Sequence, residues 1–463
     1  MSDKLIGALA SRLSGTVVGP DQIGDEDRTN FGRIFTWVPR MVVRPAHAGD
    51  VQAVLRFAAE NRLHVATRGA AHSQSQIAIS DHGILLDMKS MDAIGTVDTA
   101  SRTVEVESGA VWRDVARHTL RDGLIPRVLT NNLGVTVGGT LSMAGIGVAS
   151  FRYGAQGDNV AELDVVTGQG ELVTCTREKN ADLFWGVLAG LGQIGIVTRA
   201  RLELRACKPM TRTYYLLYDD LRRFMEDART AMDCGLWDYL ESWASPCPQG
   251  TKPVAGARQV FARWFYPFHL TVEFEPGHPP DDAKLLAGLT PYQNLYTDDI
   301  PTSEFAERLV PVFEIWKRAG TWEFTHPWME VVMPWDTAAD YIDQVLPDLP
   351  PGLVLGGGHA LLWPAKGDTS NLKLFMRPEG SHLIGFGILP AVPHKFWPVV
   401  KELLMNASML SVMMGGKRYL SGFVEYAEEQ WAEHYGAQWE PFRALKKQHD
   451  PAGILNPGFI PLL

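Results

Sequence analysis

Cysteine is scarce in this chain, and the few that occur lie far apart. Among 463 residues there are four, at Cys175, Cys207, Cys234 and Cys247. No two of them have the CxxC spacing of redox and zinc motifs, and their spacing does not suggest a disulfide framework. We therefore expect free thiols and a protein of a reducing, cytoplasmic interior.

Long apolar stretches and an excess of positive charge are also missing. No run reaches the roughly 18 apolar residues that a membrane helix needs. The apolar run near the N-terminus, from Leu5 to Ala10, is too short and too interrupted for a secretion signal. A net charge of −10 argues against a nucleic-acid partner and against an anionic membrane surface. We expect neither partner.

Several local catalytic motifs are absent as well. The sequence contains no HExxH, GxSxG or Walker loop, and its 13 histidines show no clustered metal spacing. We therefore expect no metal site. A hydrophobic content of 46% with 21% charged residues is typical of a globular protein, and the chain is long enough for two domains with sizeable cores.

Strand and helix patterns alternate over the first 205 residues. Residues 41–44 are predicted to form a strand, and Asp50 is predicted to cap the helix that follows, whose apolar positions fall on one face. A second strand at 63–67 would complete a βαβ unit. The pattern predicts one α+β domain over residues 1–205.

The texture of the sequence changes between about residues 206 and 415. Long strand-like runs, such as 213–218 and 372–376, mix with helical segments rich in Trp and Phe. Many of the 14 tryptophans lie in the second half of the chain, where some are expected to line a flat aromatic pocket. This segment is predicted to form a second domain.

Two loops of small residues carry the strongest functional signal. The first, Gly69-Ala-Ala-His-Ser73, directly follows the predicted strand at 63–67, and the second spans residues 136–146. Small residues let the backbone come close to a ligand, and backbone N–H groups can cradle an anion such as a pyrophosphate. A histidine in such a loop can bond to the ligand itself, so His72 is singled out.

The two loops and several later blocks resemble one flavoprotein family. The segment Asn159–Gly170 follows the second loop, and further blocks lie at Trp237–Glu241, Thr325–Trp328, Trp431–Gly436 and Asp450–Gly458. In this order they resemble the FAD-linked oxidases of the vanillyl-alcohol-oxidase/PCMH type, and most closely cytokinin dehydrogenase. The resemblance implies an FAD-binding PCMH-type domain at 1–205, a substrate domain with an antiparallel sheet at 206–415, and a C-terminal return to the FAD-binding domain at 416–463.

The resemblance also implies roles for individual residues. The first loop would contact the pyrophosphate of FAD, the second loop would line the other side of the flavin, and the tail would close over the isoalloxazine. His72 would carry the flavin through a covalent 8α link. The implied cofactor-binding positions are Gly69, Ala70, Ala71, His72, Ser73, Thr136, Gly138, Gly139, Ser142, Gly145, Ile146, Ile196, Val197, Tyr419 and Asn456.

The chain departs from the family at one catalytic position. Cytokinin dehydrogenases carry Thr-Asp-Tyr before the second loop, and the aspartate accepts a proton from the substrate amine. Here Asn131 stands in its place, and an amide can orient a substrate but cannot deprotonate it. We therefore expect isopentenyl-type adenine derivatives to reduce the flavin slowly or not at all.

Glu241 is the best remaining candidate for a catalytic base or an amine anchor. Alternation would place Trp237, Tyr239, Glu241 and Trp243 on one face of a strand. A carboxylate among three aromatic rings should be partly desolvated, so we expect the pKa of Glu241 to be raised. A surface glutamate beside two tryptophans is the alternative.

The function expected from these residues is hydride transfer from a small organic molecule to FAD. The hydride would leave a C–H next to an amine or hydroxyl, and O₂ or another acceptor would reoxidise the flavin. Three alternatives stay open: an oxidative tailoring step such as desaturation or cyclisation, a true cytokinin dehydrogenase, and a flavin-binding protein without catalysis. The histidine loop disfavours the last, because a covalent redox cofactor has little use in a pure binding protein.

Overall fold

The computed structural model describes residues 2–254 and 256–463. Its secondary structure forms three sheets with helices packed between and around them. The α-helices are α1 Ser2–Ala10, α2 Asp25–Arg28, α3 Ala48–Asn61, α4 Trp112–Thr119, α5 Val137–Leu141, α6 Ser150–Tyr153, α7 Ala181–Val187, α8 Leu221–Asp233, α9 Asp282–Leu285, α10 Thr302–Ala306, α11 Val310–Arg318, α12 Trp335–Val345, α13 Trp397–Met413, α14 Glu428–Tyr435 and α15 Trp439–His449.

The first sheet has four short strands and delivers the chain to the first loop. These strands are β1 Thr16–Val18, β2 Met41–Arg44, β3 Val65–Arg68 and β4 Ile84–Asp87. Their spatial order is β1-β2-β4-β3, with β2, β4 and β3 parallel. The strands predicted near 41–44 and 63–67 are confirmed, but β4 lies between them, so the βαβ unit does not place them side by side.

Asp50 does not cap helix α3, contrary to the prediction. The helix begins at Ala48, which puts Asp50 in its first turn. The Asp50 carboxylate instead accepts hydrogen bonds from the backbone N–H groups of Ser14, Gly15 and Ala46. Two of these donors lie in the segment before β1, and the third lies in the turn after β2. The Asp50 side chain therefore ties both segments to the helix.

The second sheet has five strands around one long central strand. They are β5 Thr103–Glu107, β6 Leu124–Pro126, β7 Val160–Thr167, β8 Leu172–Thr176 and β9 Gly195–Ala206. Strand β9 pairs antiparallel with β5, β6 and β7. Trp431, Tyr435 and Phe442 of the C-terminal helices lie in the same buried cluster as the strands of this sheet. The tail also bonds to β3, since Val65 N–H donates to the carbonyl of Ile454.

The third sheet has eight antiparallel strands and provides one wall of the site. The strands are β10 Met210–Tyr218, β11 Tyr239–Val254, β12 Ala257–Phe274, β13 Gln293–Pro301, β14 Met329–Pro334, β15 His359–Lys366, β16 His382–Leu389 and β17 Lys417–Tyr419. Their order is β13-β10-β12-β11-β15-β16-β14-β17. The two sheet-bearing units and the mixture of helix and antiparallel sheet confirm the predicted two-domain α+β class.

The two faces of the eight-stranded sheet have different environments. Val331 and Leu362 point into a core shared with helices α8, α12 and α13. Their neighbours Glu330 and Leu361 point the other way, into a cavity, because successive side chains of a strand alternate between faces. The sheet therefore has one face buried under helices and one face turned to the first unit.

The strand predicted at residues 372–376 is wrong. This segment is a turn without a ladder partner, although Leu372, Leu374 and Phe375 are buried in the core that contains the five-stranded sheet. Two consecutive buried residues, Leu374 and Phe375, break the alternation of a strand. Among the described residues, no helix is long and apolar enough to cross a membrane.

Candidate active site

A large concave site lies between the two small-residue loops and the eight-stranded sheet. The volume of the cavity is about 330 Å³, which is far more than a single buried water molecule needs. Its walls come from both loops, from β9, from five strands of the large sheet and from the C-terminal segment. A cavity of this size between two units is typical of a small-molecule site.

All residues singled out from the sequence line this one cavity. They are Asn131, Glu241, Gly69, Ala70, Ala71, His72, Ser73, Thr136, Gly138, Gly139, Ser142, Gly145, Ile146, Ile196, Val197, Tyr419 and Asn456. They come from segments spread over nearly the whole chain. Their convergence shows a common location; their individual roles stay proposals.

The first loop is held by its carbonyl groups and leaves its N–H groups free. Phe31 and Gly32 donate backbone hydrogen bonds to the carbonyls of Ala71 and Ser73. No acceptor for the N–H groups of residues 70–73 is present in the described part of the chain. Gly69 lies so close to Thr136 that a Cβ there would be 1.9 Å from the threonine Oγ1. The loop therefore presents a row of unpaired N–H donors. Its first residue must be glycine, because any side chain at position 69 would collide with Thr136.

The second loop is tied to the large sheet through Tyr419. The Tyr419 hydroxyl accepts the N–H of Gly145 at 3.3 Å, and Gly145 has a left-handed φ of +78°. The Ser142 hydroxyl donates to the carbonyl of Gly138 at 2.8 Å, so its oxygen keeps only acceptor capacity. The edge strand β17 thus fixes the far side of the cavity.

Asn456 fastens the C-terminal segment to the cavity wall. Its backbone N–H donates to Val65 at 2.9 Å, and its side-chain amide donates to the carbonyl of Gly192 at 2.9 Å. Ile196 and Val197 line the same cavity from the buried strand β9. One N–H of the Asn456 side-chain amide is used in the bond to Gly192, so its second N–H and its Oδ1 are left for a ligand.

His72 sits in an aromatic cage. Its ring centroid is 4.1 Å from that of Phe31 and 5.3 Å from that of Trp328. Burial, with a smaller contribution from nearby His326, lowers the pKa of His72 to about 3. The imidazole is therefore neutral near pH 7 and keeps a lone pair on one ring nitrogen. The side-chain nitrogen of Asn132 lies 3.4 Å from its Nε2.

These features fit FAD. The unpaired N–H groups of residues 70–73 match the anionic pyrophosphate. On the sheet side, Trp363 lies flat over Gly385, where a Cβ would be 1.7 Å from the indole Cε2. Leu361 continues this apolar floor. One end of the cavity thus suits a dinucleotide phosphate, and the other suits flat rings.

Glu241 does not have the raised pKa that the sequence predicted. Burial favours its neutral form, but Arg308 forms two hydrogen bonds with the carboxylate, both 2.9 Å, and lowers the pKa of Glu241 below its usual value. The same guanidinium donates to Asn131 Oδ1 at 3.1 Å. Trp237 lies before strand β11 and packs on Tyr214, so it is not one of the rings beside Glu241.

Sequence reasoning missed Glu330, a second carboxylate in the same cavity. It lies on β14, only 7% exposed, and the Ser421 hydroxyl donates to it. A signal was available: a single acidic residue interrupts the apolar run Met329-Glu-Val-Val-Met333. Glutamate is almost never fully buried without a partner, so its presence inside a buried strand points to a specific role.

Comparison with known proteins bears on both units. Residues 39–176 match the model of the FAD binding domain family, and residues 283–460 match the family described as cytokinin dehydrogenase 1, FAD and cytokinin binding. The chain is 34% identical to cytokinin dehydrogenase 4 of Oryza sativa subsp. japonica, over 93% of this chain and 87% of the relative. It is 31% identical to an uncharacterized oxidoreductase, ORF5, in the fasciation locus of Rhodococcoides fascians, over 93% and 95%.

The fold also matches a solved structure. 6-Hydroxy-D-nicotine oxidase from Arthrobacter nicotinovorans superposes with a TM-score of 0.71 over 96% of both chains, at 20% identity. At this identity the likeness concerns the fold. The family matches at both ends of the chain and the sequence identity over nearly its full length agree with the resemblance drawn from the loops. The chain belongs to the cytokinin dehydrogenase family of FAD-dependent oxidoreductases.

Proposed function

We propose that the protein dehydrogenates a small organic molecule at a C–H next to an amine or hydroxyl group. The observation that carries this proposal is the single cavity in which the flavin-binding loops face the polar residues of the large sheet. When bound, FAD supplies the two-electron acceptor that takes the hydride at N5. The residues of the chain bind and orient the substrate and exclude water.

The polar end of the substrate site would recognise a hydrogen-bond acceptor. Arg308 occupies Oδ1 of Asn131, so the side-chain N–H groups of Asn131 are the ones left to face a ligand. Glu241 neutralises Arg308 and fixes its orientation through two hydrogen bonds. We propose that Asn131 positions a carbonyl or ring nitrogen of the substrate, with Glu241 acting through Arg308.

We further propose that FAD is covalently linked to His72. Support comes from the place of His72 in the donor-lined loop and from its neutral ring, because a ring nitrogen must carry a lone pair to attack carbon. The rings of Phe31 and Trp328 hold the imidazole in one orientation. A covalent bond would prevent loss of the cofactor.

The link is tested by denaturing the purified protein in acid. We expect a yellow pellet and a mass increase of one FAD in the parent, and free flavin in the supernatant for His72→Ala. His278→Ala, an exposed histidine far along the chain, is the control and should keep the flavin bound. Free flavin from the parent protein would reject the covalent link without rejecting FAD binding.

Cytokinin dehydrogenation is the second candidate function. It is favoured by the family model for FAD and cytokinin binding over residues 283–460 and by the names of the relatives. Against it stands Asn131, which cannot accept the amine proton. The two candidates differ in the expected rate with N6-isopentenyladenine, a secondary allylic amine.

The experiment is anaerobic flavin bleaching with a panel of compounds. The panel contains N6-isopentenyladenine, vanillyl alcohol and simple secondary amines. Rapid bleaching by the adenine derivative would establish the second candidate, and bleaching by other amines or alcohols alone would support the first. Bleaching by none of them would contradict the proposed function. Admitting O₂ or an artificial quinone after reduction then identifies the electron acceptor.

A further inference from the structure

We propose that Glu330 is a catalytic residue that accepts the N–H or O–H proton of the substrate during dehydrogenation. This inference rests on the proposed function and adds a base that neither Asn131 nor Glu241 provides. The argument comes from the position of Glu330 in the sheet, from the partners of its two carboxyl oxygens and from the contrast with Glu241.

The strand register places Glu330 on the cavity floor, between β16 and the edge strand β17. Its Cα partner on β16 is Gly387, and its partner on β17 is Tyr419. In the same register Gly387 pairs with Leu361 on β15. Because Gly387 has no side chain, the Glu330 chain extends over it; a Cβ there would be 3.1 Å from Glu330 Cγ. The carboxylate therefore stands between Leu361 and Tyr419, both lining the cavity.

The two carboxyl oxygens of Glu330 have different surroundings. The Ser421 hydroxyl donates to Oε2. The other oxygen, Oε1, has no hydrogen-bond donor among the described residues, and it is not sealed from the cavity. One oxygen is thus anchored, and the other is available to a ligand.

No cation contacts this carboxylate within the described part of the chain. The positive charge of Arg418 acts on this carboxylate only from a distance, because its guanidinium donates to the backbone carbonyls of Glu330 and Phe423 and to the Ser408 hydroxyl. It is therefore engaged on the far face of the strand. Burial, opposed only in part by Ser421 and Arg418, raises the pKa of Glu330 to about 6.

A carboxylate with these properties is suited to proton transfer near neutral pH. General bases work best when their pKa lies close to the operating pH. Glu241 is unsuited, because its ion pair with Arg308 stabilises the charged form and lowers its pKa. The cavity therefore contains one carboxylate that keeps its charge and one that can exchange a proton.

The chemical step balances with Glu330 as the proton acceptor. The C–H bond next to the nitrogen or oxygen breaks, and its electron pair leaves with the hydrogen as hydride, for which bound FAD would supply the two-electron acceptor. The N–H or O–H bond breaks, its electron pair forms the C=N or C=O bond, and its proton goes to Glu330 Oε1. The substrate loses two electrons and two hydrogens, and the carboxylate becomes a carboxylic acid.

The test compares Glu330→Gln with Glu241→Gln in the FAD-loaded protein. Infrared difference spectra without substrate, recorded across a pH titration, should show a carboxylic-acid band with a midpoint near pH 6 in the parent. The band should be missing in Glu330→Gln and present in Glu241→Gln. Because glutamine keeps the shape and can still accept the Ser421 hydrogen bond, the substitution should preserve the fold.

The second arm measures anaerobic flavin reduction by whichever panel compound bleaches the parent fastest. We expect the limiting rate of Glu330→Gln to fall by about 10²–10⁴ and its rise with pH near pH 6 to disappear. Glu241→Gln should keep that rise, and Glu330→Asp should recover part of the rate.

The outcomes separate the two proposals. Reduction of Glu330→Gln within a few-fold of the parent, or a pH profile that is unchanged, overturns the role of Glu330 and leaves the proposed function intact. A carboxylic-acid band that still titrates near pH 6 in Glu330→Gln also overturns the role of Glu330. A parent that binds FAD but is reduced by no compound of the panel contradicts the proposed function itself, and Glu330 then has no substrate proton to accept.

Discussion

Two carboxylates on one face of the same sheet, Glu241 and Glu330, experience similar burial with opposite results. The side chain of Glu241 is 11% exposed, and Glu330 is 7% exposed as a whole residue. The pKa of Glu241 is lowered and that of Glu330 is raised to about 6. The difference lies in the partner: a guanidinium with two hydrogen bonds for Glu241, a single hydroxyl for Glu330. Burial alone therefore does not predict the pKa of a carboxylate in this cavity.

The separation of the two groups suits a division of roles. Strands β15 and β16 lie between β11 and β14, so the two backbones are three strand spacings apart. At about 4.8 Å per spacing this is about 14 Å, too far for both carboxylates to act on one substrate atom. The Glu241 end is a rigid polar anchor, while the Glu330 end carries the exchangeable proton site.

Removing the cation from the first carboxylate should have the largest effect on stability. In Arg308→Met the Glu241 carboxylate loses both hydrogen bonds and stays buried. Breaking a buried pair by removing one partner typically costs about 3–5 kcal/mol. We expect the free energy of unfolding, measured by urea denaturation at neutral pH, to fall by that amount.

The double variant Arg308→Met/Glu241→Gln is the control for this comparison. It removes the unpaired charge as well, so most of the lost stability should return. A single variant as stable as the double variant would contradict the view that Arg308 is what holds Glu241 in its charged form.

The pH dependence of stability should have opposite signs for the two glutamates. The pKa of Glu330 rises from 4.5 to about 6 on folding, so its stabilising contribution is present below about pH 4.5 and is lost as pH rises through about 6. Glu330→Gln lacks this loss. The difference in the free energy of unfolding, variant minus parent, should therefore increase by about 2 kcal/mol as the pH rises from about 4.5 to about 6.

Glu241→Gln provides the matched control with the reverse trend. Because the folded pKa of Glu241 is lowered, its contribution is present above the unfolded value and is lost as pH falls through the folded value. Relative to the parent, Glu241→Gln should thus become less stable as pH rises. Two variants with the same trend would contradict the assignment of different partners.

Local sequence predicted the end of the cavity formed by the two small-residue loops better than the end formed by Asn131, Glu241 and Arg308. The donor-lined loop around His72 and the loop at 136–146 are runs of small residues whose conformations depend on near neighbours. Position 69 has no room for a side chain, and position 145 has a left-handed φ, so both favour glycine. A glycine at such a position can be recognised in the sequence. Their positions in the family pattern then led to one cavity, as the structure has it.

The end of the cavity at Arg308 depends on contacts between distant parts of the chain. Arg308 is 67 residues from Glu241 and 177 residues from Asn131, and nothing in its local sequence pairs it with either. The predicted rise in the pKa of Glu241 was wrong for this reason. The strand predicted at residues 372–376 was wrong for a similar reason. These apolar residues are buried in a core without pairing to a strand, and their composition alone does not distinguish them from a strand.

Removing the Ser421 hydroxyl, which donates to Glu330, should give the smallest of these effects. It tests directly how much the partner of each glutamate determines its pKa. In Ser421→Ala the carboxylate loses its hydroxyl partner, which favours the charged form, so the pKa of Glu330 should rise further. A hydrogen bond to a charged group is worth about 1.5 kcal/mol, which corresponds to an upward shift of the infrared midpoint by about one pH unit.

Flavin reduction in Ser421→Ala should change with pH in the same sense. Well above the new midpoint Glu330 is fully ionised, and the rate should match the parent; near pH 6 fewer molecules carry the free base, and the rate should be lower. Ser421→Thr keeps a hydroxyl and should behave like the parent. A midpoint that does not move would show that Ser421 does not hold the carboxylate, and a midpoint that falls would mean that Glu330 has gained another donor. Either result would remove the hydroxyl from the difference between the two glutamates and leave Arg308 as its only cause.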